Sequence, residues 1–364
     1  MSEIVYFSKM FQSVPHLAQV ESLLPGVFVS NRLSTLRAIH AHYPQIGTSL
    51  YSRLFGFFAK GNALLKQARL IVTGSPYKSF LAPYKAKKCT VFHGTYMLLS
   101  KEALRRNGHF DLLCVIGPRM QGMIDRFGDE ITVRTAPTGF LPFCEYPDRN
   151  EARRGATLSL LGLDPAKRTI IYTPSRRGIG SWNLLAERLV QVAPPHFNLV
   201  LRPHPSQALT SRRADRANFR KIQGLLKNRG HALLDLTSVA LPTLFSVADL
   251  LVSDANSPTE ESLFYDIPQL LVESPHASRI QLREQATREG AHIDDIEKLL
   301  TLYECGPIFD TASGDLVESM LDRAIDDAGR FASQRENYFS WVFGQRDRQA
   351  NQRVAAAIRD HLLN

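Results

Sequence analysis

Four apolar runs of this 364-residue chain end in side chains able to do chemistry: VFHGT (Val91 to Thr95), YTPSRRG (Tyr172 to Gly178), LRPHPS (Leu201 to Ser206) and VSDANSPTEE (Val252 to Glu261). In the first, His93 has the near-neutral basicity of a general base that takes a proton from a hydroxyl, and Gly94 beside it lets a substrate come close. A histidine in that place equally serves to cap a strand. In the third, Pro203 and Pro205 limit the backbone on either side of His204, so its imidazole is held in one direction and can donate to a phosphoryl oxygen. Arg202 next to it, with Arg176 and Arg177 of the second run, offers the positive charge that a diphosphate needs, or else forms a solvated basic loop.

The fourth run anchors the others. Leu250 to Ser253 reads as a buried strand, Ser257 as an N-cap, Pro258 as the first helical residue, and Gln269 to Val272 as the next strand. Such a strand, turn and helix aims backbone N–H groups at one point beyond the strand's carboxyl end, where an anion is favoured. Ser253, Asn256, Ser257 and Thr259 can hydrogen-bond phosphate oxygens, and a carboxylate in the next helical turn can take a pair of ribose hydroxyls. The same stretch also describes an ordinary capped helix. Thr173, Ser175 and Asp254 complete the donor-binding set drawn from these strand ends.

Strands alternate with helical spacing along the whole chain, which calls for parallel sheets covered on both faces. In the first half, strands are expected at Ile4 to Phe7, Gly26 to Val29, Leu70 to Thr73, Cys89 to Phe92 and Leu112 to Ile116, with helices around Leu17 to Leu24, Ser34 to His42, Leu54 to Gln67 and Met123 to Phe127. The pattern lapses between Pro142 and Ala156, the best place for an interdomain connection. Beyond it come a helix from Thr157, strands at Thr169 to Tyr172, Asn198 to Leu201 and Ala232 to Leu236, helices at Asn183 to Val192 and Ser211 to Asn228, and a final helix over Glu336 to Leu363. The length suits two α/β domains. They are expected at residues 1–145, facing the acceptor and a membrane, and 146–364, binding a nucleotide donor, with the C-terminal helix free to return to the first. A cleft between them would gather the four strand ends.

The formal charge of +9 is concentrated. No acidic residue lies between Glu21 and Glu102, whereas Arg32, Arg37, Arg53, Lys60, Lys66, Arg69, Lys78, Lys85, Lys87, Lys88 and Lys101 all fall there. Interleaved with Tyr51, Leu54, Phe55, Phe57, Phe58, Leu64 and Leu65, these charges suit a surface that dips into an anionic membrane interface better than a helix reading a nucleic-acid groove. A core-facing amphipathic helix with a solvated basic face gives the same pattern.

The four cysteines show neither metal-ligand spacing nor a disulfide framework, so a reduced, cytoplasmic setting is expected. There is no signal-peptide run and no span approaching roughly 18 apolar residues. The histidines show no HExxH spacing, so no metal is indicated, and the absence of P-loop, GxGxxG and GxSxG motifs weakens kinase, dehydrogenase and hydrolase readings.

The succession HGT, a Gly-Pro turn, TGF, GLDPAKRTIIYTPSRR, RPHP and ADLLVSDANSPTEESLFYDIPQLLVES, closed by FGQRDRQANQRVAAAI (Phe343 to Ile358), resembles the CDP-glycerol glycerophosphotransferases of wall and capsule polymer synthesis. The similarity spans roughly residues 85 to 360, and its order and spacing are more specific than any one motif. It implies a GT-B-like fold of two doubly wound, Rossmann-like parallel-sheet domains facing across a cleft. It also implies His93 as the base on the acceptor hydroxyl and His204 steadying the donor phosphates. Ser175, Arg177 and Ser257 would then bind the diphosphate, with Glu261 toward the ribose.

The implied reaction moves a glycerol phosphate or related polyol phosphate from a CDP-activated donor to a polymer or lipid-linked acceptor at the inner membrane face, with no cofactor. Two departures bear on the transferred group. The family's DYSS turn is here Asp254-Ala255-Asn256-Ser257, and Glu260-Glu261 stands where Phe-Asp is usual, as in UDP-N-acetylglucosamine 2-epimerases and other sugar-nucleotide enzymes. A GT-B glycosyltransferase using a CMP- or UDP-sugar is therefore the second reading. A basic nucleic-acid-binding protein is the third, disfavoured by the balanced charge of the second half.

Overall fold

The computed structural model describes residues 3–54, 59–76 and 78–364. The chain forms two compact units, one from Met1–Glu145, Glu289–His292 and Ser340–Asn364, the other from Tyr146–Arg288 and Ile293–Phe339.

The first unit holds strands β1 (Ile4–Phe7), β2 (Val27–Ser30), β3 (Gly47–Leu50), β4 (Leu70–Thr73), β5 (Lys87–Thr90), β6 (Leu112–Val115) and β7 (Arg134–Pro137), all parallel, in the order β3-β2-β1-β4-β5-β6-β7. Alternate residues of β1 serve opposite faces. Ile4 and Tyr6 join the helix Val14–Glu21 and the C-terminal helix Ala350–Ile358 in one core, while Val5 and Phe7 meet Leu65, Ile71 and Leu81 in the other. Burial on both faces is why β1 and β4 are near-continuous apolar runs rather than alternating ones.

The second unit holds β8 (Arg168–Thr173), β9 (Phe197–Leu201), β10 (Ala232–Leu234), β11 (Leu250–Asp254), β12 (Gln269–Glu273) and β13 (Ile308–Asp310), again all parallel, in the order β10-β9-β8-β11-β12-β13. Counted from β8, this is the 3-2-1-4-5-6 order of doubly wound dinucleotide folds, whose ligands lie where the order reverses. That reversal falls between β8 and β11. In the first unit it falls between β1 and β4.

Several expected bounds move. The helix placed at Thr157 starts at Glu151, because Asn150 caps it by accepting from the Arg153 N–H at 3.0 Å. The long C-terminal helix is two, Ala332–Phe343 and Ala350–Ile358, interrupted at Gly344, whose φ of +75° leaves the right-handed region. The helix expected over Leu54 to Gln67 is Lys60–Gln67; Phe55, Phe57 and Phe58 lie outside the described residues. No helix among the described residues is long and apolar enough to cross a membrane.

The basic segment carries less free charge than its composition suggests. Lys88 is buried and donates to the carbonyls of Tyr84 and Ala86 at 2.7 and 2.8 Å. Lys87 pairs with Asp111, Lys101 with Glu130 and Arg69 with Glu3.

One buried amide ties the second sheet to the turn before it. Asn198 on β9 accepts from the Asp164 N–H at 2.9 Å and donates to the Asp164 carbonyl at 2.9 Å and to Thr169 Oγ1 at 3.1 Å. Asn198→Ala leaves those buried groups unpaired, so it is expected to lower the stability of the second unit by about 2–4 kcal/mol. A reduced urea midpoint checks this, and an unchanged midpoint refutes it.

Candidate active site

In the second unit the reversal point is held by one carboxylate. Asp254, at the end of β11 and fully buried, accepts from the Ser175 N–H (2.5 Å), the Ser181 N–H (3.1 Å) and the Ser181 hydroxyl (2.5 Å). Burial pushes its pKa up, and these donors pull against that shift. Gly180 completes the closure, since a Cβ there would stand 2.2 Å from the Ser175 carbonyl oxygen.

Around this carboxylate the β8 and β11 ends are laced together. Ser253 Oγ donates to the Thr173 carbonyl (2.6 Å) and accepts from the Thr173 hydroxyl (2.9 Å). Asn256 Nδ2 donates to the same carbonyl (2.9 Å), while Asn256 Oδ1 accepts from the Thr259 N–H (3.1 Å). The N-cap of the helix Ser257–Ser262 is therefore Asn256, one residue before the expected Ser257, which is the first helical residue. Asp254, Ser253, Thr173, Asn256 and Ser175 thus spend these groups inside the protein, where sequence reading placed them in the donor-binding set. Glu260 is buried and accepts from the Tyr338 hydroxyl at 2.8 Å, so it too stands apart from a ligand.

The arginines divide in the same way. Arg177 is paired with Asp215, which the Gln207 amide also approaches at 3.4 Å. Arg202 pairs with the fully buried Asp235 and donates to the Val239 carbonyl at 2.6 Å. Both brace the frame. Arg176, directly before Arg177 in sequence, is exposed and close enough to His204 to lower its pKa, an effect second to burial.

A cavity of about 210 Å³ opens here, its wall formed by Thr173, Arg202, His204, Leu241, Pro258 and Glu261 together with prolines 174, 203 and 205. It is below the roughly 300–1,000 Å³ of whole-ligand pockets, a size for part of a ligand only. His204 caps the short helix Pro205–Ala208, its Nδ1 accepting from the Ser206 N–H at 3.2 Å. Neutral imidazole has one proton, so it sits on Nε2 and is available to donate.

Glu261 faces the same cavity and accepts from the Tyr146 hydroxyl at 3.2 Å. Burial raises its pKa to about 7, against that hydrogen bond, with Glu260 raising it further and Arg202 lowering it. Tyr146 was hidden from sequence reading because it lies in the polar stretch taken as a connection.

His93 and Gly94 belong to the first unit, beyond β5. The turn is strained: Phe92 has φ +50° and Gly94 φ +77°. A bulky residue in the left-handed region costs of order 1–3 kcal/mol and persists where the surroundings impose it. His93 Nδ1 contacts the Gly74 carbonyl, which can only accept, so Nδ1 carries the proton and Nε2 the lone pair. Burial, and secondarily Lys78, lowers the His93 pKa despite the Gly74 bond. Gly94 leaves open space beside it, with no atom within 4 Å of a built Cβ.

No family model and no curated protein sequence matches this chain. Solved structures do. The wall teichoic acid polymerase TagF superposes with a TM-score of 0.67 at 12% identity, over 100% of this chain and 90% of that one. A histidine variant of TagF soaked with CDPG gives the same score and identity, over 100% and 89%. HepE of Anabaena in complex with UDP-glucose gives 0.58 at 14% identity, over 98% and 99%. The fold, two parallel α/β sheets, is that of these GT-B structures.

The Glu261 carboxyl has a consequence for pH. The native group holds its proton up to about 7, while the unfolded one releases it near 4.5. Between those values the native state binds more protons, so stability falls as pH rises through the window, and the loss is complete above it. Glu261→Gln is therefore expected to gain up to about 3 kcal/mol over wild type at pH 8, the gain vanishing below pH 4.5. Urea unfolding at pH 4 and pH 8 measures it; a gap independent of pH refutes the buried acid.

Proposed function

We propose that the protein is a transferase that moves a glycerol phosphate, or a related polyol phosphate, from a CDP-activated donor to a hydroxyl of a polymer or lipid-linked acceptor. The carrying observation is the convergence on one cavity, at the reversal point of the second sheet, of an Nε2–H donor and a carboxyl group, His204 and Glu261, with the exposed guanidinium of Arg176 close enough to act on His204. Phosphates call for the imidazole N–H and the guanidinium, and a ribose diol for the carboxylate. TagF, a polymerase by name and soaked with CDPG in one structure, shares the fold, as this reading requires.

In the reaction the acceptor oxygen attacks the phosphorus distal to the nucleoside. A new P–O bond forms, the P–O bond to the CMP phosphate breaks, and CMP leaves with the electron pair. His93 Nε2 takes the acceptor proton. His204 Nε2–H and Arg176 oppose the charge that gathers on the bridging and departing oxygens, so positioning and electrostatics supply the rate. Arg177, Arg202, Ser175 and Asp254 hold the frame, and Ser257 begins the helix beside it.

A second reading is favoured by the acidic pair Glu260-Glu261 and by the likeness to HepE, solved with UDP-glucose. There the same frame holds a sugar nucleotide and a glycosyl carbon is attacked. Release of CMP from CDP-glycerol, with no nucleotide released from UDP- or CMP-sugars, separates the first reading from the second; the converse pattern establishes the second.

His93→Ala is expected to lower turnover about 10²–10⁴-fold while leaving intact the rise in melting temperature that the donor produces by binding the native state. His204→Ala is expected to shrink that rise. Because His93 is held below the ordinary 6.5 of imidazole, its protonation should lower kcat/KM only below that value, while ionisation of Glu261 adds a separate change near 7. Full turnover by His93→Ala would remove it from the mechanism.

A further inference from the structure

A basic recess of the first unit lies apart from the cavity described above. A cavity of about 490 Å³ is lined by Lys9, Arg53 and Lys78 over an aromatic floor of Phe7, Tyr51 and Phe80. It sits beyond the carboxyl ends of β1, β2 and β3, since Asn31 and Tyr51, the residues directly after β2 and β3, also line it. Its volume is that of a pocket for a whole small ligand.

Among the described residues, none of Lys9, Arg53 and Lys78 pairs with a carboxylate, and Arg53 and Lys78 have no carboxylate near them in sequence, because residues 22–101 contain no Asp or Glu. Like charge has accumulated without a counter-ion. Lys78 feels it directly, its pKa lowered by burial first and by Lys9 second. Arg53 is pre-organised, its guanidinium over the Phe80 ring at 5.9 Å, and that ring packs against Phe7 at 4.8 Å and Tyr51 at 5.8 Å. Two ammonium groups and a fixed planar fork suit a phosphate, whose oxygens accept from both kinds of donor.

The recess is also tied to the base. Phe7, Lys9 and Lys78 line a second, narrow crevice whose wall includes Gly74 and His93. Shared residues thus place the recess next to the imidazole.

We propose that this recess binds a glycerol-phosphate ester of the acceptor, fixing the chain so that the terminal hydroxyl is presented to His93. The purpose assigned to it rests on the transferase reading above; the binding chemistry does not. The ester has two sources, the end of a soluble polyol-phosphate chain or the headgroup of an anionic phospholipid, and the test separates them.

The full-length protein is titrated calorimetrically with glycerol 3-phosphate and with glycerol, and sedimented with vesicles of phosphatidylglycerol and of phosphatidylcholine. Arg53→Gln, Lys78→Gln and the control Lys60→Gln, which lies outside the recess, are compared with wild type after their melting temperatures show them folded. Glycerol 3-phosphate should bind and glycerol should not. Arg53→Gln and Lys78→Gln should each weaken binding about tenfold or more, added salt should weaken it further, and Lys60→Gln should not. Capture of phosphatidylglycerol vesicles alone, lost in Arg53→Gln and Lys78→Gln, assigns the ester to a lipid headgroup.

Failure of wild type to bind either source, or binding that Arg53→Gln and Lys78→Gln leave unchanged, overturns the proposal. The CDP-glycerol melting shift, measured on the same samples, reads the second unit separately. A recess that binds in a protein showing no donor shift would sink the transferase reading and leave the phosphate site standing.

Discussion

A carboxylate kept out of water must be matched by donors, and in the second unit that requirement organises the site. Asp254 ends β11 with no exposure, and its acceptors are filled from one direction by the Ser175 and Ser181 N–H groups and the Ser181 hydroxyl. Those residues bracket the loop after β8, so a single side chain pins the loop at both ends. Arg176 projects from the pinned interval beside His204, and the neighbouring Arg177 turns back to Asp215. Without the buried carboxylate the loop would have no reason to close on β11, and the cation would have no fixed place.

The two sheets share a strand order but differ in how they treat charge. In the second unit arginines at the strand ends are neutralised by buried or nearly buried acids, Arg202 by Asp235 and Arg177 by Asp215. This makes a rigid, nearly neutral frame with a few polar groups left over. In the first unit residues 22–101 contain no acid, and among the described residues Lys9, Arg53 and Lys78 pair with no carboxylate. Charge left unpaired across a concave surface concentrates an opposite charge from solution, whereas charge paired within the fold contributes mainly order.

The sequence showed the central strands clearly, because IVYF of β1 and LIVT of β4 are buried at every position and must be apolar throughout. It did not show β3 (GTSL) or β7 (RTAP), the two edges of the first sheet, where one side is exposed and the residues are polar. The motifs at the strand ends were legible as a group, but their division of labour was not. Asp254, Ser253 and Asn256 have the same hydrogen-bonding capacity whether they face a ligand or the Thr173 carbonyl, and only the closure of β8 on β11 decides. Lys88 fails similarly: composition marks it as surface charge, while the carbonyls of Tyr84 and Ala86 draw it inside.

The two histidines make the point most sharply, since their side chains are identical and their chemistry is opposite. At His93 the nearest backbone partner is a carbonyl, that of Gly74, so Nδ1 must hold the proton and Nε2 is left as a base. At His204 the partner is an N–H, that of Ser206, so Nδ1 must hold the lone pair and Nε2 is left as a donor. Burial leads in lowering both pKa values, with a nearby cation adding to it, which keeps each ring neutral so that the tautomer rather than the charge sets its role. One backbone group, the Gly74 carbonyl at His93 and the Ser206 N–H at His204, therefore leaves Nε2 a lone pair in the first unit and an N–H in the second. The left-handed φ at Phe92 and the proline-flanked turn at His204 set where each ring meets its partner. The choice between base and donor is thus made by turn geometry, one level above the residue types a sequence displays.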